Sequence, residues 1–591
     1  MVLTPAIQLP FTVPRNVRYI LHGIVKPRLE ANLEQWLLIA PQANPAMLEM
    51  FRDRDRSPRR DLLLWSGEFA GKYLTSAVLC YRLDRNERLR RQLDRFVDEL
   101  IVTQAADGYL GPFPRDERLI GHTADGANSL WDVWGHYHCI LGLWLWYREV
   151  GYQPALISAQ KAADFICAFF AQRPLLEAGW PEMNMAIAHG LALLYQETGE
   201  ARYLELTHRI EQEWQSEGAG DYLRTALAGV PFYATPKPRW ESLHDVQAIL
   251  SLYEITGDER YRTAFEHIWR TIRDGDRHNT GGFSSGEQAT GNPFDPRPIE
   301  TCCTVAWMAL STDMLRLTAD STVADELELA TYNAILGAQH PSGRWWTYNT
   351  PMDGLRRASA HDIVFQSREG SPELNCCSVN GPRSLGLLSE WALLEHAEGL
   401  ALYYYGPSTI SATRPSGTRV TITQFGDYPL KPEVEIVVEC AKLEEFTLRL
   451  RIPAWSNNTQ LSINEEQQKA PAPGQYLALK RTWASKTRIC LTFDFTLRSW
   501  RGERECAGKA SLYRGPLLLT YDRRFNVIDH GDLAPLDLNQ LEYELRPYRG
   551  GFPAPWLLAA FRSVTGREVV LCDFATAGAS GTPYKSWLPV V

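Results

Sequence analysis

The chain has 591 residues, of which 45% are hydrophobic and 22% charged, and its formal net charge is -9 at pH 7. This length exceeds what a single hydrophobic core usually supports, so at least two domains are expected. The net negative charge argues against nucleic-acid and membrane partners, because phosphate backbones and anionic lipid surfaces attract basic proteins.

The N-terminal residues 1–20 contain no basic segment that leads into an apolar stretch, and no run of apolar residues is long enough to span a bilayer. The eleven cysteines are an odd number spread over a long chain. Small secreted domains that depend on disulfides instead have a dense, even set. The sequence therefore predicts a cytoplasmic protein with reduced cysteines and no membrane span.

Residues 1–397 show helical periodicity after an extended N-terminal segment. LYQETGEARYLEL from Leu194 and LYEITGDERYRTA from Leu252 repeat one pattern: a helix end, a Thr-Gly turn and a second helix opened by an acidic residue. Looser copies begin at Tyr81 and Trp146. Repeated helical hairpins form either an open solenoid or a closed ring. The sequence lacks the polar capping repeats of an open stack, which favours a closed α/α toroid of the (α/α)6 type.

From about Gly399 the pattern changes to short β-rich runs separated by Pro, Gly and Asn. In TLRLRI, residues 447–452, apolar and charged residues alternate, as in a strand with one face in water. We therefore predict a multidomain α + β protein: a toroid over 1–397, a β-sandwich over 398–528, and a β-rich segment over 529–591. The last segment either completes the sandwich or caps the toroid.

Two pairs of adjacent cysteines, in ETCC and NCCSVNG, are the main chemical signal. Glu300 and Cys302 lie two residues apart, so in an extended segment their side chains point the same way. Cys303 would then face away, into a helix that begins near Thr304.

The second pair, Cys376 and Cys377, lies in a turn-rich stretch where both sulfurs could reach one metal ion. Thiolates are preferred zinc ligands, and Glu300 and Cys302 would complete a set of four donors. The spacing matches neither of the strong CxxC patterns, so by spacing alone the favoured interpretation is four buried groups without a metal.

Several motifs extend this signal along the chain: WSGEFAGKY, DGYLG, GHYHCILG, GEQATG, ETCC, YNAILG, YNTPM, NCCSVNGPR, RLRIPAW and YRGPLLL. With these motifs in this order, the sequence resembles the β-L-arabinofuranosidase family, glycoside hydrolase family 127, over most of its length. The resemblance implies an α/α toroid followed by β-sandwich modules. It also implies a zinc ion held by one glutamate and three cysteines, one of which is the nucleophile.

Carried over by motif, the resemblance implies that Glu300, Cys302, Cys376 and Cys377 bind Zn2+ and that Cys376 is the nucleophile. It implies that Glu287, in SSGEQATG, is the general acid/base. Metal coordination removes the proton of a thiol, and a carboxylic acid can protonate the leaving oxygen of a glycoside. If these four donors bind zinc, a closed structural site would be preferred to a catalytic one in the absence of the resemblance.

The resemblance further implies substrate contacts at four positions, His136, His244, Glu328 and Tyr348. The sequence departs from the family at Trp180, in GWPEMNMA, where family members usually have a histidine. An indole there replaces a histidine hydrogen bond to a sugar hydroxyl, which leaves the identity of the sugar open.

The prediction from these residues is a retaining exo-glycosidase that releases L-arabinofuranose from short glycans, with an oligosaccharide or glycoside as its partner. Three alternatives stay open: the same mechanism on another L-sugar, a carbohydrate-binding protein with a structural zinc, and a polysaccharide lyase on the same toroid. The sequence also leaves open whether the protein forms a homodimer.

Overall fold

The computed structural model describes residues 6–126, 128–359, 374–483 and 486–591. Its helices are α1 (Val25–Asn32), α2 (Ala40–Ala43), α3 (Ala46–Arg52), α4 (Glu68–Asp84), α5 (Glu87–Val102), α6 (Asp132–Val150), α7 (Gln153–Phe169), α8 (Pro181–Asn184), α9 (Ile187–Thr198), α10 (Ala201–Glu213), α11 (Tyr222–Leu227), α12 (Ser242–Thr256), α13 (Glu259–Gly275), α14 (Thr301–Thr318), α15 (Ser321–Leu329), α16 (Leu336–Ala338), α17 (Cys376–Gly386) and α18 (Leu388–Trp391).

The helical part is a closed ring with two layers. Six inner helices, α4, α6, α9, α12, α14 and α17, pack each against the next, and α17 packs against α4 to close the ring. The helices α5, α7, α10, α13 and α15 each pack outside the inner helix that precedes them. The inner helices bury most of their residues, whereas α5 and α13 bury one face, as expected for an outer layer. The predicted α/α toroid is confirmed.

The repeated Thr-Gly pattern forms the hairpins that connect the two layers. Helix α9 ends at Thr198, and Gly199 has a φ of 77° before α10 begins. Helix α12 ends in the same way at Thr256, with Gly257 at a φ of 72°. A positive φ is easily adopted only by glycine, so these residues end the helices and let the chain reverse. Because each hairpin is antiparallel, the inner helices all begin at the same end of the ring.

The strands are β1 (Arg15–Leu21), β2 (Ile299–Glu300), β3 (Asn349–Thr350), β4 (Asp353–Gly354), β5 (Leu393–His396), β6 (Gly399–Leu402), β7 (Ser408–Thr413), β8 (Arg419–Phe425), β9 (Glu433–Cys440), β10 (Glu444–Arg451), β11 (Gln460–Ile463), β12 (Glu466–Gln468), β13 (Tyr476–Trp483), β14 (Thr487–Thr492), β15 (Arg498–Arg501), β16 (Lys509–Arg514), β17 (Leu517–Asp522), β18 (Tyr543–Arg546), β19 (Leu558–Arg562), β20 (Glu568–Asp573), β21 (Tyr584–Lys585) and β22 (Leu588–Pro589).

Two sheets form the β-sandwich. One has the strand order β1-β7-β8-β9-β14-β11-β12, and the other has the order β13-β10-β6-β5. Strand β1 comes from the N-terminal segment and pairs antiparallel with β7, with Leu21 opposite Ser408. The extended N-terminal segment, assigned to the toroid from the sequence, therefore contributes an edge strand to the sandwich.

A third sheet contains β15, β16, β17, β20, β19 and β18 in that order, with β21, β22 and β4 attached. The predicted sandwich extended to residue 528 and so included β15, β16 and β17, which the structure instead pairs with C-terminal strands. Strand partners are distant in sequence, and a local pattern cannot identify them. This sheet also contacts the toroid: β21 pairs with β4, and the Asn279 amide donates to the Ser511 and Ser586 hydroxyls at 2.8 and 2.9 Å.

None of the helices in the described ranges is both long enough and apolar enough to cross a membrane.

Candidate functional site

The first two members of the predicted cluster lie where a strand becomes a helix. Strand β2 pairs with β3, and the Thr301 amide donates to the Tyr348 carbonyl at 2.9 Å. Glu300 is the extended N-cap residue of α14, and Cys302 lies in the first helical turn. The predicted extended conformation holds for Glu300 but not for Cys302, because the helix begins at Thr301 and not near Thr304.

Cys376 and Cys377 are the first two residues of α17, so the predicted turn-rich stretch is the beginning of a helix. Residues 371–373 of that stretch lie outside the described residues. Asn375 caps the helix: its side chain accepts from the Ser378 amide, and the Ser378 hydroxyl accepts from the Asn375 amide, both at 3.0 Å. This reciprocal cap fixes the first turn and with it both thiols.

The four predicted ligands, Glu300, Cys302, Cys376 and Cys377, are buried and have donor atoms within 4.8 Å of one another. The Cys377 sulfur lies 3.6 Å from that of Cys302 and 3.9 Å from that of Cys376. Glu300 Oε1 lies 3.2 Å from the Cys377 sulfur and 3.7 Å from the Cys376 sulfur.

These four separations, of the six between the donor atoms, are close to the edges of a zinc tetrahedron. With Zn–S bonds of about 2.3 Å and a Zn–O bond of about 2.1 Å, sulfurs lie about 3.8 Å apart and oxygen about 3.6 Å from each sulfur. The donor types and their spacing therefore fit a tetrahedral zinc ion, and the cluster could bind this metal without large rearrangement.

The electrostatics of the cluster also favour a cation. Burial, reinforced by the neighbouring thiols, raises the pKa of Glu300, Cys376 and Cys377 well above their usual values. Burial opposes ionisation of Cys302 too, but hydrogen bonds from the Cys376 and Cys377 thiols outweigh it and lower the Cys302 pKa. Four buried anions in contact repel each other, so the ionised cluster requires a positive partner.

A buried lysine next to the cluster was not predicted from the sequence. The Lys72 ammonium lies 2.8 Å from Glu68 Oε2, and both side chains are about 1% exposed. It also lies 5.4 and 5.0 Å from the ring centres of Trp134 and Trp240. Burial opposes its charge, but Glu68 and the nearby cysteines outweigh burial and raise the Lys72 pKa. The sequence signal that could have revealed this pair is the i,i+4 spacing of Glu68 and Lys72 in WSGEFAGKY.

Glu287 lies in a carboxylate–guanidinium group beside the cluster. Arg239 makes a two-point ion pair with Glu241, at 2.9 and 3.0 Å, and its Nη2 atom also lies 2.6 Å from Glu287 Oε2. The Tyr348 hydroxyl donates to Glu287 Oε1 at 3.4 Å. Burial raises the pKa of Tyr348, and the charges of Cys376 and Glu300 add to this effect. Tyr348 therefore stays protonated and connects Glu287 to the cysteine cluster. Arg239 and Glu241 were not predicted.

His244 belongs to a buried aromatic group on the same end of the inner helices. Its Nδ1 atom lies 2.9 Å from the Tyr137 hydroxyl and 3.0 Å from Gln247 Oε1. Its ring contacts those of Trp134, Trp240 and His138. Burial lowers the pKa of both histidines well below the usual value, so both are neutral. Both ring nitrogens of His138 lack a partner among the described residues.

Two of the predicted substrate-binding residues, His136 and Glu328, form hydrogen bonds with other groups of the protein. His136 donates from Nδ1 to the Asp132 carbonyl at 2.9 Å and accepts the Leu110 amide at Nε2 at 3.0 Å. Glu328 accepts from Tyr428 at 2.7 Å and from Arg451 at 2.9 Å, where the toroid meets the sandwich.

The contacts of His136 and Glu328 correct both predictions. His136 has no ring nitrogen left for a sugar hydroxyl, because both are used within the protein. Glu328 is buried in an ion pair with a residue of the sandwich, so its contacts are structural. Position in a motif could not reveal either partner, because the partners come from other segments of the chain.

Trp180 is 44% exposed at the start of α8. The Lys237 ammonium lies 5.8 Å from the centre of its ring, and Glu182 pairs with the same ammonium at 3.5 Å. Lys237 is two residues from Arg239, which places the indole on the side of the toroid that carries Glu287.

The chain is similar to known glycosidases over most of its length. Residues 29–390 match the model of the β-L-arabinofuranosidase GH127 catalytic domain, and residues 399–495 match that of the GH127 middle domain. A non-reducing end β-L-arabinofuranosidase of Bifidobacterium longum subsp. longum is 25% identical over 510 residues, covering 78% of this chain and 76% of that protein.

Two solved structures have the same fold. A GH127 β-arabinofuranosidase superposes with a TM-score of 0.82 at 17% identity and covers 99% of both chains. A GH127 β-L-arabinofuranosidase from Geobacillus stearothermophilus T6 gives a TM-score of 0.77 at 21% identity, over 97% of this chain and 100% of that one.

Proposed function

Because the chain belongs to glycoside hydrolase family 127, we propose that it is a retaining exo-glycosidase that releases L-arabinofuranose from the ends of short glycans. Family membership makes the protein a glycoside hydrolase with a glycan substrate. The choice of sugar rests on the name of the Bifidobacterium relative, which acts at a non-reducing end. The choice of mechanism rests on the residues of the cluster.

The observation that carries the mechanism is a carboxyl group, Glu287, that Tyr348 links to the donor cluster. A structural zinc site needs only its four ligands and no such carboxyl group. Cys376 is 5% exposed, whereas Cys302 and Cys377 are 0% and Glu300 is 1% exposed. Burial raises the Tyr348 pKa, and Tyr348 lies close enough to Cys376, the least buried of the four, for the thiolate charge to raise it further. The Tyr348 hydroxyl donates to Glu287.

In the proposed first step, the Cys376 sulfur attacks the anomeric carbon as a thiolate. A C–S bond forms, the bond from that carbon to the leaving oxygen breaks, and Glu287 gives its proton to that oxygen. Zinc bound by Glu300, Cys302, Cys376 and Cys377 would supply the positive charge that keeps the thiols deprotonated.

In the second step, Glu287 removes a proton from water, the water oxygen attacks the anomeric carbon, and the C–S bond breaks. The Cys376 thiolate and the protonated Glu287 are restored, and the sugar leaves with its original anomeric configuration. Arg239 and Tyr348 hold the two oxygens of Glu287 and so orient the carboxyl group for both proton transfers.

The experiment compares three variants on aryl glycosides of several L-sugars. Glu287→Gln should lower kcat by about 10²- to 10⁴-fold while zinc content is unchanged, because hydrolysis of the glycosyl-cysteine loses its base. Cys376→Ser should abolish turnover. Cys506→Ser is the matched control, because Cys506 is also 5% exposed but contacts the Phe294 carbonyl in another part of the protein. Normal activity in Cys376→Ser or Glu287→Gln would refute the mechanism.

A second candidate function keeps this mechanism and changes the sugar. The observation behind it is the half-exposed Trp180 ring, where family members usually have a histidine. If another L-sugar is the substrate, its aryl glycoside will have a higher kcat/KM than the arabinofuranoside in the same assay. Zinc binding and sugar binding without turnover of any glycoside would instead indicate a carbohydrate-binding protein.

A further inference from the structure

A fifth residue, Cys303, contacts the cluster at the carboxylate of Glu300. It lies against the oxygen that Cys376 and Cys377 do not contact. Its sulfur lies 3.6 Å from Glu300 Oε2. The sulfurs of Cys376 and Cys377 face the other oxygen, Oε1, at 3.7 and 3.2 Å. The two oxygens of one buried carboxylate thus have different partners.

We infer that Cys303 is a positioning residue for the metal ligand Glu300: its thiol donates to Oε2 and thereby directs Oε1 to the metal. This inference rests on the proposed zinc site. Cys303 lies outside the ligand set: among the described residues, the group whose donor atoms all lie within 4.8 Å of one another is Glu300, Cys302, Cys376 and Cys377.

The local backbone explains why this contact forms. Glu300 is the N-cap of α14 and Cys303 is three residues later, a spacing at which an N-cap side chain and the first helical turn meet. Both residues are buried, with Cys303 0% exposed, so water does not compete for Oε2. A hydrogen bond to a carboxylate is stronger than a bond between neutral groups, which offsets the weakness of a thiol donor.

A fixed carboxylate matters because a free one can rotate or bind through both oxygens. The cluster geometry fits a tetrahedron with one oxygen donor, so Oε2 must be held away from the metal. Groups that orient ligands in this way typically change metal affinity by about 10- to 100-fold when substituted. Since the thiol is a weak donor, we expect an effect near the lower end of this range.

The test measures zinc dissociation constants of full-length variants by competition with a chromogenic chelator. Cys303→Ala removes the donor and should weaken zinc binding about tenfold. Cys303→Ser keeps a donor and should bind zinc as the unsubstituted protein does. Cys139→Ala is the control, because Cys139 is also 0% exposed in the toroid but its thiol contacts the Gly67 carbonyl, at 3.9 Å. If Cys303→Ala does not fold, Cys303→Val takes its place.

The cobalt(II) spectrum of each variant provides a second readout. Cys303→Ala should keep the full thiolate-to-cobalt absorption of the unsubstituted protein, because the three ligand sulfurs remain. Reduced absorption would make Cys303 a ligand and overturn the inference, as would equal loss of zinc affinity in the Ala and Ser variants.

Unchanged zinc affinity in Cys303→Ala would also overturn the inference while leaving the proposed function intact. Failure of the unsubstituted protein to bind zinc would overturn the proposed function itself, and with it the role of Cys303.

Discussion

Zinc affinity should depend steeply on pH, because the ligands must lose protons before they bind. Burial and the neighbouring thiols raise the pKa of Cys376 and Cys377 well above the usual value, so both thiols carry a proton near neutral pH in the metal-free protein. Binding therefore releases at least two protons, and Glu300, whose pKa is also raised by burial, can add a third.

The magnitude follows from this count. With two protons released, the zinc association constant rises about 100-fold per pH unit, or about 2.7 kcal/mol per unit. The sign is fixed: groups with raised pKa values favour the protonated, metal-free state, so affinity falls as pH falls. Competition titrations between pH 6 and 8, with a chelator of known protonation, give the slope directly.

Calorimetry in two buffers of different ionisation enthalpy counts the released protons independently. Cys376→Ala should release one proton fewer and show a correspondingly smaller slope. A slope of one or less for the unsubstituted protein would refute the reasoning, since at least one of the Cys376 and Cys377 thiols would then already be ionised without the metal.

Three further predictions follow from the contacts around the cluster. Burial raises the pKa of Glu241 from its usual 4.5 to about 7. Protonated Glu241 therefore stabilises the folded state below pH 4.5, and this contribution is lost as the pH rises from 4.5 through 7. The unfolding free energy of the unsubstituted protein minus that of Glu241→Gln should fall by about 3 kcal/mol over this window in denaturant titrations. A difference that is independent of pH would contradict this. Lys72→Met leaves Glu68 buried without its partner and should cost about 3–5 kcal/mol, most of which Lys72→Met/Glu68→Gln should restore; an equally unstable double variant would argue against this pairing. Trp180→His should change the ratio of kcat/KM between aryl glycosides of different L-sugars by about tenfold with zinc content unchanged, and an unaltered ratio would exclude Trp180 from sugar recognition.

The features predicted correctly from the sequence are those determined by local patterns. The Thr-Gly hairpins identified the two-layer toroid, because Gly199 and Gly257 are needed where the chain reverses. The motif resemblance selected Glu300, Cys302, Cys376 and Cys377, whose donor atoms the structure brings together.

The features that were missed depend on contacts between distant segments. Arg239 pairs with both Glu241 and Glu287. Glu287 is 48 residues from Arg239 in sequence, and no local pattern indicates a pair so far apart. His136 was singled out by its motif, but its partner Leu110 lies in a loop outside that motif. The pairing of the C-terminal strands with β16 and β17 was missed for the same reason, since strand partners depend on the packing of the whole fold and not on local sequence.

The most direct test of the mechanism is mass spectrometry of the protein during turnover of an aryl β-L-arabinofuranoside. Because removal of the acid/base slows the second step, Glu287→Gln should accumulate protein heavier by one pentosyl group, and peptide mapping should place that group on Cys376. A pentosyl group on another side chain, or steady turnover by Cys376→Ala, would contradict the assignment of the nucleophile.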